Sequence, residues 1–324
     1  MRLKRGTGID GLAGMRPARK LPNGATHLRP LLDVAKLDVI QFMHNANKTW
    51  REDPSNQNQI FERVRVRDLQ SEFDSLGITR ENLARTARRA DQFVRYLDSA
   101  IENKIADAAG AITAHDLGFF TVTHAWFERL APLEQVRLLS EMIASVGGQA
   151  EPVPLGQLED IVESLSGSNG TLKFSTASES RQGFTLHGAQ VDIGRTKFRV
   201  YRETLDARTL LSALPNRLAA QSLTPGQVVV WDHRFVITLS DAAPHPVTVG
   251  PLTERGLADL EAHGWQRPDV PARVLWTLPV FRHNGTISAF AHNDLNTSPL
   301  APSHCVVTRH RIPYRPGAFN PIST

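Results

Sequence analysis

MRLKRGTGIDGLAGM, residues 1–15, starts with a basic, apolar half-turn and runs straight into a glycine-spaced loop. Leu3 is apolar, Arg2, Lys4 and Arg5 are cationic, and Gly6 follows at once. Cations in a last turn with a glycine just beyond it are the signature of a helix stop. The stretch therefore reads as the end of a helix that would begin before residue 1. Gly6, Gly8, Gly11 and Gly14 space the loop after it. Phosphate-binding glycine loops follow a strand and open a helix, so that backbone N–H groups face the anion. Here the glycines follow a helix end, and on spacing alone the loop reads as a plain turn.

Outward from that stretch, composition bounds the possibilities. The chain has 324 residues, which suits two or three domains at roughly 100–200 residues each. A hydrophobic content of 41% supports real cores, and 22% charged residues argue against a disordered tail. The net charge of +4 leans only slightly toward a polyanionic partner, so the placement of the cations matters more than their sum. The single cysteine, Cys305, precludes a disulfide within the chain and fits a reducing compartment. It lies in HCVVTRH (304–310), which reads as a strand and makes Cys305 an inert thiol. No apolar run approaches 18 residues, and the N-terminal stretch has no signal-peptide core. The expectation is a soluble, cytoplasmic protein without a membrane partner, its oligomeric state left open by composition.

Three parts are expected along the chain. In residues 1–70, loops alternate with one helix. RPLLDVAKLDVIQFMHNANKTW (29–50) spaces Leu32, Val34, Leu37, Ile40 and Phe42 helically, which predicts a helix over 34–46 capped by Asp33. A polar turn around Pro54 follows, then the arginine-dense IFERVRVRDLQSEFDSL (60–76). Residues 71–167 read as helical. Leu83, Ala87, Ala90, Val94, Leu97, Ile101 and Ile105 recur at threes and fours behind Thr79, a fitting N-cap. FFTVTHAWFERL (119–130) reads as a strand and turn. APLEQVRLLSEMIASVGG (131–148) reads as a helix from Pro132 to Gly147–Gly148, and PLGQLEDIVESLSG (154–167) as another. From 168 onward, short alternating strands with turn glycines take over. QVVVWDHRFVITL (227–239) and ARVLWTLPVFRHNGTISAF (272–290) read as hairpins, the second turning at Asn284–Gly285, with a helix at LTERGLADLEAHG (252–264) between them. The fold class is thus an α/β and α+β multidomain chain, divided 1–70, 71–167 and 168–324, the last a β-rich α+β domain.

Two stretches concentrate chemistry. WREDPSN (50–56) crowds acid, base and amide into one loop. Glu52 or Asp53 could hold a cationic amine or orient a hydroxyl, or Asp53 and Ser55 could merely build the turn. Arginines at 63, 65, 67, 80, 85, 88, 89 and 95 suit RNA, where phosphate contacts supply most of the affinity. They also suit a solvated helix face whose acids, Glu62, Asp68, Glu72, Asp74, Glu81 and Asp91, sit nearby. The twelve histidines are scattered, with no clustered ligand set for a metal.

Four ordered blocks in residues 1–70 resemble the tRNA(Ile)-lysidine synthases of the PP-loop ATPase family. That family's R-G-[ST]-G-x-x-G-L-x-G-M loop corresponds to Arg5–Met15 and its R-P-L-L to Arg29–Leu32. Its W-x-x-D-x-S-N corresponds to Trp50–Asn56 and its F-x-R-N-x-x-R to Phe61–Arg67, with Val64 in place of the asparagine. Beyond residue 70 the match is positional. The family's upstream ATP loop, Ser-Gly-Gly-x-Asp-Ser, and its H-H-x-x-D-Q-x-E-T helix do not occur in this sequence. Met1 thus resembles an internal methionine near the end of that helix, and residues 1–70 the C-terminal remnant of a PP-loop α/β domain.

The resemblance implies a ligase that uses ATP, with Mg2+, to adenylate the C2 carbonyl oxygen of the first anticodon cytidine in a CAU-anticodon tRNA(Ile). The amine of lysine then displaces AMP. On this chain it implies catalytic roles for Arg5, Asp53 and Asn56, and a border of the ATP cleft at Gly6 and Gly8. It further implies tRNA contacts at Arg63, Arg67, Arg85, Arg88 and Arg89, and a tRNA-contacting role for the helical part. Lacking the ATP loop, the chain alone is expected to be inactive. The alternatives are a non-catalytic tRNA-binding remnant, or a related ATP-dependent enzyme modifying another base.

Overall fold

The computed structural model describes residues 8–20, 26–51, 65–66, 69–148, 153–165, 182–204, 218–232, 234–243, 245–292, 295–297 and 305–309. The chain forms two compact units, Met1–Leu21 with Ala25–Ala100, and Pro22–Gly24 with Ile101–Thr324.

The first unit opens with a single helical turn, α1 (Ile9–Leu12), and an antiparallel pair, β1 (Ala18–Lys20) and β2 (Thr26–Leu28), in which Ala18 faces Leu28. Helix α2 (Lys36–Asn45) lies within the stretch where apolar spacing expects it, but Asp33 does not cap it. The N-cap is Ala35, without a side-chain bond, because residues 29–34 form turns of their own: Leu32 N–H donates to Arg29 O and Val34 N–H to Leu31 O. The apolar residues of α2 are not a core face either, since Leu37 is 72% and Phe42 69% exposed. Helix α3 (Gln70–Ser75) ends at Gly77, whose positive φ of 76° suits glycine alone. Helix α4 (Arg80–Ala106) starts as read: the Asn82 N–H donates to Thr79 Oγ1 at 3.2 Å. Among the described residues burial begins at Ala90, and it continues at Val94, Leu97 and Ile101 along one stripe of α4. From Ile101 on, α4 counts with the second unit.

Among the described residues, most buried apolar side chains lie in the second unit. A five-stranded antiparallel sheet runs in the order β3 (Ile112–His115), β4 (Phe119–Thr123), β7 (Lys197–Arg202), β6 (Ala189–Ile193), β5 (Gln182–Leu186). Its strands come from both sides of residue 168, so the change of texture along the chain is not an edge of this sheet. After β4 a helical turn, α5 (His124–Phe127), leads into α6 (Pro132–Gly147), which packs on β6 and β7 and against α7 (Leu155–Leu165). Pro132 occupies the first turn of α6, where its missing N–H is harmless. Glu134 Oε2 accepts both the Ala131 N–H at 2.8 Å and Lys104 Nζ at 2.9 Å. Leu138, Leu139, Met142 and Ile143 are fully buried against the apolar face of the sheet, where Phe120, Val122, Phe198 and Val200 point.

The remaining strands form two further antiparallel sheets. One is ordered β13 (Thr286–Phe290), β12 (Pro279–His283), β11 (Val247–Pro251), β8 (Gln221–Leu223). The other is ordered β14 (Cys305–Arg309), β10 (Phe235–Leu239), β9 (Val228–Trp231). Helices α8 (Thr253–Ala262) and α9 (Ala272–Trp276) pack on each other, and Leu257 and Leu275 join Trp231, Phe235, Val280 and Phe290 in one core. Both predicted hairpins form. The second turns at Asn284 and Gly285 with φ of 49° and 81°, the doubly positive geometry of a type I′ turn. ARVLW, read as part of that hairpin, is instead α9, since Pro271 precedes a short turn that buries Val274 and Leu275. The mixed α and β content expected from the sequence is present, with antiparallel sheets and helices.

A buried polar cluster ties these layers together. Asp232, between β9 and β10, accepts two bonds from Arg202, at 3.0 and 3.1 Å, and one from Arg234 at 2.6 Å. Arg202 also donates to Gly188 O in the β5–β6 turn, and Arg234 to Thr277 O beyond α9. Nearby, the Tyr201 hydroxyl donates to Asp192 Oδ2 at 2.7 Å. Burial first, then that carboxylate, pushes the Tyr201 hydroxyl far above its ordinary value, so it stays a donor.

Candidate nucleic-acid interface

Of the residues that the sequence nominates, Arg5, Gly6, Asp53, Asn56, Arg63 and Arg67 lie outside the described residues. Gly8 is described, and there the plain-turn reading needs correction. Gly8 has φ −66° and ψ −179° and stands at the N-cap of α1, with its carbonyl accepting from the Gly11 N–H at 2.9 Å. Gly8 therefore opens one helical turn that contains Gly11 and is followed by Gly14 at φ 76°.

Arg85, Arg88 and Arg89 fall together on α4. Their side chains are exposed and stand opposite the buried stripe of Ala90, Val94 and Leu97. Among the described residues no carboxylate pairs with any of the three. Arg95 differs: Asp91 holds it through Nε and Nη2, both at 2.8 Å, one turn earlier on the helix. Arg16 reaches Asp98 at 3.8 Å. Asp91 and Asp98 are thus engaged by Arg95 and Arg16, and the three outward cations keep their charge. That arrangement can hold a polyanion by charge, with affinity that falls as salt rises.

Sequence reasoning passed over two residues on the same face. Gln92 and Tyr96 follow Arg89 at spacings of three and four, and both are exposed, Tyr96 at 71%. The available signal was their place off the apolar stripe, where neither is needed for packing. It also passed over the Arg202–Asp232–Arg234 cluster, which joins residues far apart in the chain and has no local signature. Among the described residues no three His, Cys, Asp or Glu side chains gather to hold a metal ion. No helix there is long and apolar enough to cross a membrane.

The chain is also similar to known proteins. Residues 1–72 match the PP-loop domain family. The chain is 34% identical over 196 residues to the tRNA(Ile)-lysidine synthase of Rhodopseudomonas palustris, covering 60% of this chain and 54% of that protein. It is 32% identical over 206 residues to the one from a Bradyrhizobium species, covering 62% and 57%. With the one from Anaplasma marginale the identity is 24% over 341 residues, covering 96% of this chain and 66% of the relative. The chain spans between half and two thirds of the length of these curated relatives. The chain is thus similar in sequence to tRNA(Ile)-lysidine synthases, with the PP-loop domain match at its residues 1–72.

Proposed function

We propose that this chain acts in ATP-dependent modification of tRNA, the reaction being ligation of lysine to C2 of the first anticodon cytidine of a CAU-anticodon tRNA(Ile). The observation that carries this reading is the likeness to tRNA(Ile)-lysidine synthases along as much as 96% of the chain. In this proposal α4 grips the RNA through Arg85, Arg88 and Arg89, and Arg63 and Arg67 add to that grip. Arg5, Asp53 and Asn56 line the reacting cleft, with Gly6 and Gly8 at its border. ATP, for which the PP-loop match speaks, would supply the adenylyl group that turns a carbonyl oxygen into a leaving group. Mg2+ would accompany the ATP phosphates; among the described residues no three His, Cys, Asp or Glu side chains gather to hold it.

Chemically, the protein's task is to hold an amine and an activated ring carbon together and keep water away. Positioning of this kind converts a bimolecular encounter into a local one. A second reading, tRNA binding without catalysis, is favoured by one observation: Arg85, Arg88 and Arg89 stand exposed on α4 and no described carboxylate pairs with them. One set of measurements tests what the two readings share, the grip on tRNA. The 324-residue chain alone should bind tRNA with a dissociation constant in roughly the micromolar range, and more weakly as salt rises. It should transfer no radiolabelled lysine to tRNA(Ile) in the presence of ATP. Replacing Arg85, Arg88 and Arg89 with Gln should weaken binding and flatten the salt dependence, by about 0.7 in log–log slope for each phosphate no longer neutralised. Lysine transfer by the chain alone would overturn the second reading. Unchanged affinity and slope in the triple variant would return the arginines to a solvated face.

A further inference from the structure

The outward side of α4 carries more than charge. Arg85, then Arg88 and Arg89, then Gln92, then Tyr96 succeed one another at helical spacing, all exposed and all off the buried stripe. The run covers about 16 Å of axis at 1.5 Å per residue. Tyr96 is the most exposed aromatic ring among the described residues, at 71%, and no described ring packs on it. The nearest cation beyond the run, Arg95, is neutralised by Asp91. Between Arg85 and Tyr96 the face therefore carries three guanidiniums that no described carboxylate pairs, one amide and one open aromatic ring, with the acid Glu81 one turn before Arg85.

We propose that Tyr96 is a base-stacking position and that this face takes unpaired rather than duplex RNA. The inference rests on the reading of α4 as an RNA surface and specifies which RNA it prefers. A duplex offers phosphates to Arg85, Arg88 and Arg89 as well as a single strand does, but it keeps its bases stacked inside. Only an unpaired, splayed base can lay its π face on the ring of Tyr96. Gln92, between the cations and the ring, has both a donor and an acceptor for a base edge or a ribose hydroxyl. An anionic membrane is the weaker fit, because a helix lying in a lipid surface needs a broad apolar face and this side presents a single ring amid arginine and amide.

The test uses the full chain and three fluorescent probes: a short single-stranded RNA, the same RNA annealed to its complement, and vesicles containing an anionic phospholipid. Tyr96→Ala should weaken single-stranded binding about tenfold and change duplex binding by less than about twofold. Tyr96→Phe should keep the single-stranded affinity, since the ring and not the hydroxyl does the stacking. The Arg85, Arg88 and Arg89 to Gln triple variant should weaken both RNAs. The exposure of Tyr96 leaves the fold intact in these variants, which a circular dichroism melt checks. If Tyr96→Ala weakens both RNAs equally, or neither, the stacking role is wrong even where the arginines matter. If the triple variant changes neither RNA, the RNA-surface reading itself fails. Vesicle binding that Tyr96→Ala abolishes while RNA binding stays intact would assign the face to lipid and overturn the proposal.

Discussion

Asp232 is sealed from solvent, its side chain 0% exposed, between two guanidiniums that are themselves 5% and 4% exposed. It also adopts a positive φ of 49°, which Asp and Asn tolerate better than other side chains. Asp232→Asn therefore keeps the shape and the backbone geometry, removes the charge and turns one acceptor oxygen into an amide donor facing the guanidiniums. Two buried cations would then face each other without a counter-ion. The expected loss is about 3–5 kcal/mol in urea unfolding. Asp91→Asn, which breaks the exposed Arg95 pair, should cost no more than about 0.5 kcal/mol in the same measurement. Comparable losses in the two variants would contradict the assignment of Asp232 as a keystone. Nothing local in WDHR announces this role. The stretch is legible as a hairpin turn, but the partner Arg202 lies 30 residues away in another sheet.

Helix ends show the same division one level up. Gly148 after α6 and Gly264 after α8 both read as helix stops, and both have positive φ, 66° and 91°. Their surroundings differ. A Cβ on Gly264 would meet nothing within 4 Å, whereas one on Gly148 would stand 2.8 Å from the backbone carbonyl oxygen of Asp232. Gly264→Ala should cost only the left-handed backbone penalty, about 1–2 kcal/mol. Gly148→Ala should cost that plus the displacement of a packed backbone, about 2–5 kcal/mol together. Equal shifts in urea midpoint would show that the Asp232 turn can move freely. The Asp33 cap fails for a related reason: the residue type suits capping, but the turn over residues 29–34 uses the local hydrogen bonds and delays the helix to Lys36.

Across the whole molecule, burial is unevenly shared. Among the described residues, apart from Leu133, Leu155 and Val228, the large hydrophobic side chains that are exposed lie between Ile9 and Tyr96. The buried ones begin at Ala90 and fill the second unit. Local stability follows the burial of apolar surface, so native-state amide exchange should be slowest in β4, β6, β7 and α6 and much faster in α2 and α3. Equal protection in α2 and α6 would show that burial does not govern stability here. The β-hairpins, the cap of α4 and the helix α6 were legible because each depends on neighbours in sequence: a turn pair, a Thr79 hydroxyl, a Pro132 start and a glycine stop. The candidate RNA face was legible in part. The cation run could be read, but the neutralisation of Arg95 and the openness of Tyr96 needed coordinates.

The sequence by itself determined most of the local elements and the likeness to lysidine synthases, because turn chemistry, capping and apolar period act over a few residues and motif blocks are read in order. Only the tertiary structure decided that strands on either side of residue 168 share one sheet, that Asp232 gathers two arginines from separate layers, and which α4 side chains face outward unpaired. Those facts depend on pairings between residues far apart in the chain. Burial and charge compensation at each site are set by what the fold brings beside it, and no short stretch of sequence contains its distant neighbour.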